Sequence, residues 1–220
     1  MLVRGRRGLR ETFAFIAVCS MALTVAAEAE LPDSITRYEI RRNSEIEHLE
    51  VVRTRSRIEH RYATRGMTEV WTRDDRGELE HWKAFHGPRR SVHYTPGDLR
   101  TVRSEPAWEQ LATLIHPEER ARLTQSKIKG AHVALTGTID HQRTRVRWNS
   151  ALGWAEEMVI GSREHNTRFR LLSTKPCAED MCRPTDMATF REIEFADLGD
   201  AEHDEFVRSF LAQFARAHSH

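Results

Sequence analysis

The chain has 220 residues and a formal net charge of +1, with 34 basic against 33 acidic groups. A balance this even offers no global field to nucleic acid. A hydrophobic content of 39% with five tryptophans is too apolar for a disordered chain, and the length fits one domain or two.

Arg4, Arg6, Arg7 and Arg10 precede an apolar stretch running from Phe13 to Ala27. That stretch is shorter than the ~20 residues a membrane-spanning helix needs. Ala27-Glu28-Ala29 then supplies small residues where signal peptidase cuts. The sequence therefore predicts a cleavable secretory signal over 1–29 and a periplasmic mature chain, 30–220, folded as one domain. An uncleaved anchor is the competing reading, and Arg6-Arg7 leaves twin-arginine export open beside the general route. Cleavage after Ala29 removes four arginines, two glutamates and Cys19, so the mature chain carries a net charge of −1 and two cysteines, Cys177 and Cys182. An even count in an exported protein reads as one disulfide, here closing a local loop over 177–182. The alternative is a metal site with Met181 and Met187 beside the pair, although two thiols without a nearby histidine pair make a poor zinc set.

The mature chain opens with strands. Ile35 to Ile40 is a first short run. From Val52 to Tyr62 the pattern alternates: Val52, Thr54, Ser56, Ile58, His60 and Tyr62 on one face, Arg53, Arg55, Arg57, Glu59 and Arg61 on the other. Met67 to Thr72 and Leu79 to Phe85 flank the turn Asp74-Asp75-Arg76-Gly77, and Val92 to Tyr94 follows Gly87-Pro88. Turns at this spacing suggest an antiparallel meander with one solvated face. The period then changes. Ser104 can cap a helix on which Trp108, Leu111, Ala112 and Ile115 form one apolar stripe, and Pro117 can open a second, Glu118 to Lys127. Strands resume over 131–139 and 143–148, with a hairpin from 157–161 and 167–173 and a last strand over 190–195. A C-terminal helix over 201–217 carries Phe206, Phe210 and Phe214, with Asp200 as its cap. These elements give an α+β fold, a mainly antiparallel sheet covered by helices.

The segment Val146-Arg-Trp148-Asn-Ser-Ala-Leu152-Gly-Trp154, a strand ending in tryptophan before a loop with an apolar pair, resembles LolA/LolB-type periplasmic lipoprotein carriers. The order of signal peptide, meander, helical plug and further strands resembles theirs too, loosely over 60–210. The stretches from Tyr94 to Leu99 and from Phe195 to Asp200 more closely resemble exported bacterial proteins that bring no chemistry to transfer. The carrier resemblance implies a strongly curved sheet, a half-barrel, around an apolar hollow for acyl chains.

A one-sided apolar sheet must cover that face, and a loose cover leaves a ligand-sized gap. The residues expected to line it are Trp71, Trp82, Phe85, Trp108 and Trp148, with Leu111 and Ile115 as plug; packed tightly, the same residues would be core. The expected partner is a hydrophobic small molecule, a lipid or a lipoprotein, with contact to an inner or outer membrane, no nucleic acid and no cofactor. A second reading is a copper- or zinc-handling protein. All twelve histidines are in the mature part, and His81, His86 and His93 lie on neighbouring strands where they could converge. No H-E-x-x-H motif supports it, and His60, on an apolar strand face, reads as a hydrogen-bonded core histidine. A third is an exported hydrolase with a dispersed site. G-x-S-x-G, Walker, G-x-G-x-x-G and C-x-x-C motifs are all lacking, so the sequence points to binding rather than catalysis.

Overall fold

A computed structural model describes residues 32–162, 165–177 and 182–217. The expected signal segment, 1–29, and Met181 lie outside the described residues. Twelve strands among the described residues form one sheet. The first six are β1 (Ser34–Arg42), β2 (Glu45–Arg53), β3 (Arg57–Tyr62), β4 (Met67–Arg73), β5 (Leu79–Phe85) and β6 (Arg90–Tyr94). A crossover follows, holding α1 (Pro96–Thr101), α2 (Trp108–Thr113) and α3 (Pro117–Arg122). Then come β7 (Thr124–Lys127), β8 (His132–Ile139), β9 (Gln142–Asn149), β10 (Trp154–Gly161), β11 (Asn166–Pro176), β12 (Arg191–Glu194) and α4 (Glu205–Ala217). The spatial order is β12-β6-β5-β4-β3-β2-β1-β11-β10-β9-β8-β7. Every pairing is antiparallel except β12 on β6, where Ile193 lies opposite Val92. The fold is a large, mostly antiparallel open sheet, and three of the four α-helices among the described residues have only six residues each, so it is more strongly β than an α+β fold suggests.

Local chemistry sets the turns. Asn43, at φ 53, closes the β1–β2 hairpin, where Arg42 pairs with Glu45. Asp140 and His141, at φ 46 and 62, make the two-residue turn between β8 and β9, matching the right-handed twist of the strands. The long alternating run from Val52 to Tyr62 is two strands. A turn over residues 54–56, with Thr54 N–H donating to the Arg57 carbonyl at 2.8 Å, reverses the chain. Val52 consequently faces Glu59, whereas Ile58 faces Arg53 on the other side of the sheet.

On the covered, inner face lie Tyr38 and Ile40 (β1), Leu49 and Val51 (β2), Ile58 (β3), Trp71 (β4), and Val92 and Tyr94 (β6). Leu99, Leu111 and Ala112 of the crossover and Val207 and Phe210 of α4 pack onto them. A second cluster joins Ile115 and Leu123 to Val133, Leu135, Val146, Trp148 and Met158, and Leu114 and Phe169 touch both clusters. The topology forces this cover. β6 lies next to one edge of the sheet and β7 is the opposite edge, so residues 95–123 must traverse a whole face. Ser104 caps no helix: α2 starts at Trp108 after Ala107, which makes no side-chain cap, and Leu114 in a left-handed conformation ends it at Thr113. Likewise α3 stops at Arg122 and residues 124–127 pair with β8 as a strand. Asp204, not Asp200, caps α4, its Oδ1 accepting from Phe206 N at 2.9 Å.

Cys177 and Cys182 form a disulfide with Cα atoms 5.6 Å apart. Beyond it, the segment 183–190 straps the outer face. Its anchor is Glu59, 1% exposed. This carboxylate accepts from Thr185 Oγ1 at 2.7 Å, Thr185 N at 3.0 Å, Arg57 Nε at 2.6 Å and Arg61 Nε at 2.8 Å. Burial works to raise its pKa, but the Thr185 hydrogen bonds, Arg57 and the Arg61 charge outweigh it and hold the carboxyl below its ordinary value.

Candidate inner-face binding hollow

Antiparallel register places two rows of side chains side by side on the inner face. One row is Ile58, Trp71, His81 and Tyr94; the next is His60, Glu69, Lys83 and Val92. Over them the crossover lifts. Within the link 102–107 between α1 and α2, Arg103-Ser104-Glu105-Pro106 brings no large apolar side chain to fill the gap. A hollow of about 610 Å³ remains beneath it. Ile40, Leu49 and Phe169 line it from β1, β2 and β11; Leu111 and Leu114 close it from above; His60, Glu69, Trp71, His81 and Lys83 line it from β3, β4 and β5.

The polar part is unevenly satisfied. His60 Nε2 is 2.6 Å from the Leu111 carbonyl oxygen, the hydrogen bond expected of a core histidine. Glu69 sits between His60, at 3.9 Å, and Lys83, at 3.8 Å. His81 is sandwiched between the rings of Trp71, 3.8 Å away and nearly parallel, and Tyr94, at 5.3 Å; Phe195 stacks on Tyr94 at 4.6 Å. Trp71 Nε1, His81 Nε2 and Tyr94 Oη are buried without a hydrogen-bond partner among the described residues. Buried polar atoms are ordinarily paired; of these three, Trp71 and His81 belong to residues that line the hollow. Burial, reinforced by the Lys83, His60 and His93 charges, keeps the His81 imidazole well below its ordinary pKa and therefore neutral.

Of the residues singled out from sequence, Trp71 and Leu111 line this hollow. Trp82 lies on the outer face, stacked on His93 at 4.3 Å and donating to Glu192 at 2.9 Å. Phe85 packs edge-on against Phe206 and Phe210 of α4, at 5.3 and 6.0 Å. Trp108 packs on the first core under the Arg73 guanidinium, and Ile115 and Trp148 belong to the second core, Trp148 beneath Arg120. The three candidate metal histidines occupy three places: His81 in the inner stack, His93 on the outer face, and His86 bonded to Thr68 at 2.9 Å. No group of three or more metal-ligating side chains gathers among the described residues. His60 is the core histidine the sequence suggests, hydrogen-bonded to Leu111; Glu69, Lys83 and Phe169 are not singled out there, and the signal for Glu69 and Lys83 is strand parity with Trp71 and His81.

A second hollow, about 560 Å³, lies on the outer face between the strap and β1–β4, lined by His48, Arg61, His86, Leu172 and Pro184 among others. Its nearest buried charge, Glu59, is fully hydrogen-bonded. The arginines Arg143, Arg145 and Arg147 of β9 are exposed on that face, with Arg147 held by Glu156 at 2.8 Å. Arg53 instead turns inward, 4% exposed, donates to the Pro32 carbonyl and covers the Trp154 ring.

Neither a protein-family model nor a curated protein matches the chain. Among solved structures, PNGF-II aligns with 77% of the chain at 11% identity and a TM-score of 0.42, and the chain spans 33% of its length. MucB aligns with 74% of the chain at 14% identity and a TM-score of 0.38, with 60% of its own length covered. The complex of Pseudomonas aeruginosa MucA and MucB aligns over 74% at 15% identity and 0.37. TM-scores below 0.5 do not establish a common fold.

Proposed function

We propose that the protein is an exported, non-catalytic binding or carrier protein of the LolA/LolB type, which holds a hydrophobic small molecule, a lipid or a lipidated partner on the inner face of its sheet. On this reading the sheet bends as a half-barrel around the hollow, and the crossover helices act as its cover. The observation that carries the reading is the hollow of about 610 Å³ under the link between α1 and α2, within the ~300–1,000 Å³ of small-molecule sites. Ile40, Leu49, Phe169, Leu111 and Leu114 give it an apolar wall. The Cys177–Cys182 disulfide fits an oxidising compartment, and the apolar segment after Arg10 supplies a route to it.

Native mass spectrometry tests it. The purified mature protein, alone and after addition of laurate, should show a one-to-one adduct. Leu114→Trp, which fills the hollow from its roof, should abolish that adduct without unfolding the chain. Bare polypeptide under both conditions would overturn the proposal.

A further inference from the structure

The hollow is amphipathic, and the strand order says how. Proceeding β11, β1, β2, the floor is Phe169, Ile40 and Leu49; proceeding β3, β4, β5, it becomes His60, then Glu69 and Trp71, then His81 and Lys83. Apolar and polar halves thus lie side by side across one surface, at roughly 4.8 Å per strand. Trp71 and His81 are 5% and 4% exposed, and each leaves a ring nitrogen without a partner. An indole N–H can only donate, so it needs an acceptor. Lys83 stands two residues along β5 from His81 on the same face. Its ammonium is 3.8 Å from Glu69, too far for a hydrogen bond.

Charge at the mouth points the same way. Arg42, Arg65 and Arg103 line the hollow and are exposed; with Lys83 they make four cations against the two carboxylates Glu69 and Glu105. Arg65 is held by Glu47 at 2.6 Å, but Arg42 and Arg103 have no ion pair among the described residues. A cationic mouth over a low-dielectric floor concentrates anions.

We infer that the ligand is an amphiphile with an anionic oxygen head, a carboxylate or a phosphate. Its head lies over β4 and β5 against Trp71, His81 and Lys83, and its tail crosses β2, β1 and β11 toward Phe169. This rests on the binding reading above and adds the polarity and direction of the ligand. Arg103, on the link above, closes over the head from the mouth.

The test compares laurate with its neutral glycerol ester, 1-monolaurin, by calorimetric titration of the mature protein, and repeats both with Lys83→Gln and Arg103→Gln. Charge-assisted hydrogen bonds to a desolvated anion should make laurate bind at least about tenfold more tightly than monolaurin. Each substitution should weaken laurate by about tenfold and monolaurin by clearly less, and a denaturant midpoint near that of the wild type shows that each variant folds. Dodecyl phosphate in place of laurate then separates the two head groups. Equal affinity for laurate and monolaurin, or variants that weaken both alike, would overturn the anionic head while leaving the binding reading intact. Binding of neither would overturn the binding reading itself.

Discussion

His81 should make the protein acid-labile in a way one substitution removes. Its imidazole is 4% exposed, between the rings of Trp71 and Tyr94. Burial first, then the charges of Lys83, His60 and His93, hold its pKa well below the ordinary 6.5. Glu69, two residues along β4 from Trp71, is directed at His60 and Lys83. The folded state therefore keeps His81 neutral where the unfolded chain takes up a proton. This contribution to stability is complete above the unfolded value and is lost as pH falls below it toward the folded value. For one such group, linkage gives a loss of about 1.4 kcal/mol between about pH 7.5 and about pH 5.5. His81→Phe keeps a flat ring in the stack and has no proton to gain. Urea denaturation of both proteins at the two pH values isolates the effect, since every other side chain is common to the two. The wild type should lose about 1.4 kcal/mol more than the variant over this interval. At the higher pH the variant should be at least as stable, because an orphan nitrogen has been removed. Equal losses in the two proteins would refute the buried, neutral imidazole.

Four further outcomes follow from contacts elsewhere. Glu59→Gln removes a carboxylate that two arginines and Thr185 share; it should cost about 2–4 kcal/mol and raise hydrogen exchange across 183–190, as read by mass spectrometry. Tyr38→Phe deletes a buried donor 3.1 Å from the Ala155 carbonyl and should cost about 1–2 kcal/mol by denaturant midpoint. Cys177→Ser opens a bridge of sequence separation 5; loop closure sets its cost at about 2 kcal/mol, and the unfolding transition should stay cooperative with unchanged denaturant sensitivity, whereas global unfolding would contradict a local staple. Burial works to raise the Glu156 pKa, but hydrogen bonds from Asn149, Arg147 and His132 bring it to about 2; an NMR titration of its side chain should show ionisation persisting well below the ordinary 4.5, with its contribution to stability lost as pH falls through about 2.

Strands such as β1 and β9 were legible because buried and exposed residues alternate along much of their length. Leu79 to Phe85 and the turn at Asp140 and His141 needed no tertiary information. Elsewhere the local signal was ambiguous. The run from Val52 to Tyr62 kept a period of two across the 54–56 turn, so nothing in its pattern announced a reversal. In the crossover, Trp108, Leu111, Ala112 and Ile115 have helical spacing, yet Leu114 ends the helix by adopting a left-handed backbone. Residues 124–127 read as helix by continuation, and became strand because the exposed edge of β8 offered backbone partners.

The site was less legible than the fold for a related reason. Hydrophobicity singled out five large aromatic side chains, but such a residue can pack on either face or away from the hollow: Trp82 stacks on His93 outside, and Phe85 packs against α4. What decides a position on the hollow is parity. Trp71 lies opposite His81, so Glu69 and Lys83, two residues away on each strand, must share their face, and Trp82 cannot. That inference needs the β4–β5 register, which Asp74 sets by accepting from the backbone of Arg76 and Glu78 and so fixing the turn. The void itself depends on a step no periodicity contains. Because β6 and β7 stand near opposite edges, the connecting chain has to cross the inner face whatever its composition. Where it carries Leu99, Leu111 or Ile115 it seals the sheet, and where it carries Arg103 to Pro106 it has nothing to insert. The gap is therefore a consequence of topology acting on the short stretch 103–106, and adding apolar bulk to the roof, there or at Leu114, rather than altering any tryptophan, would close it.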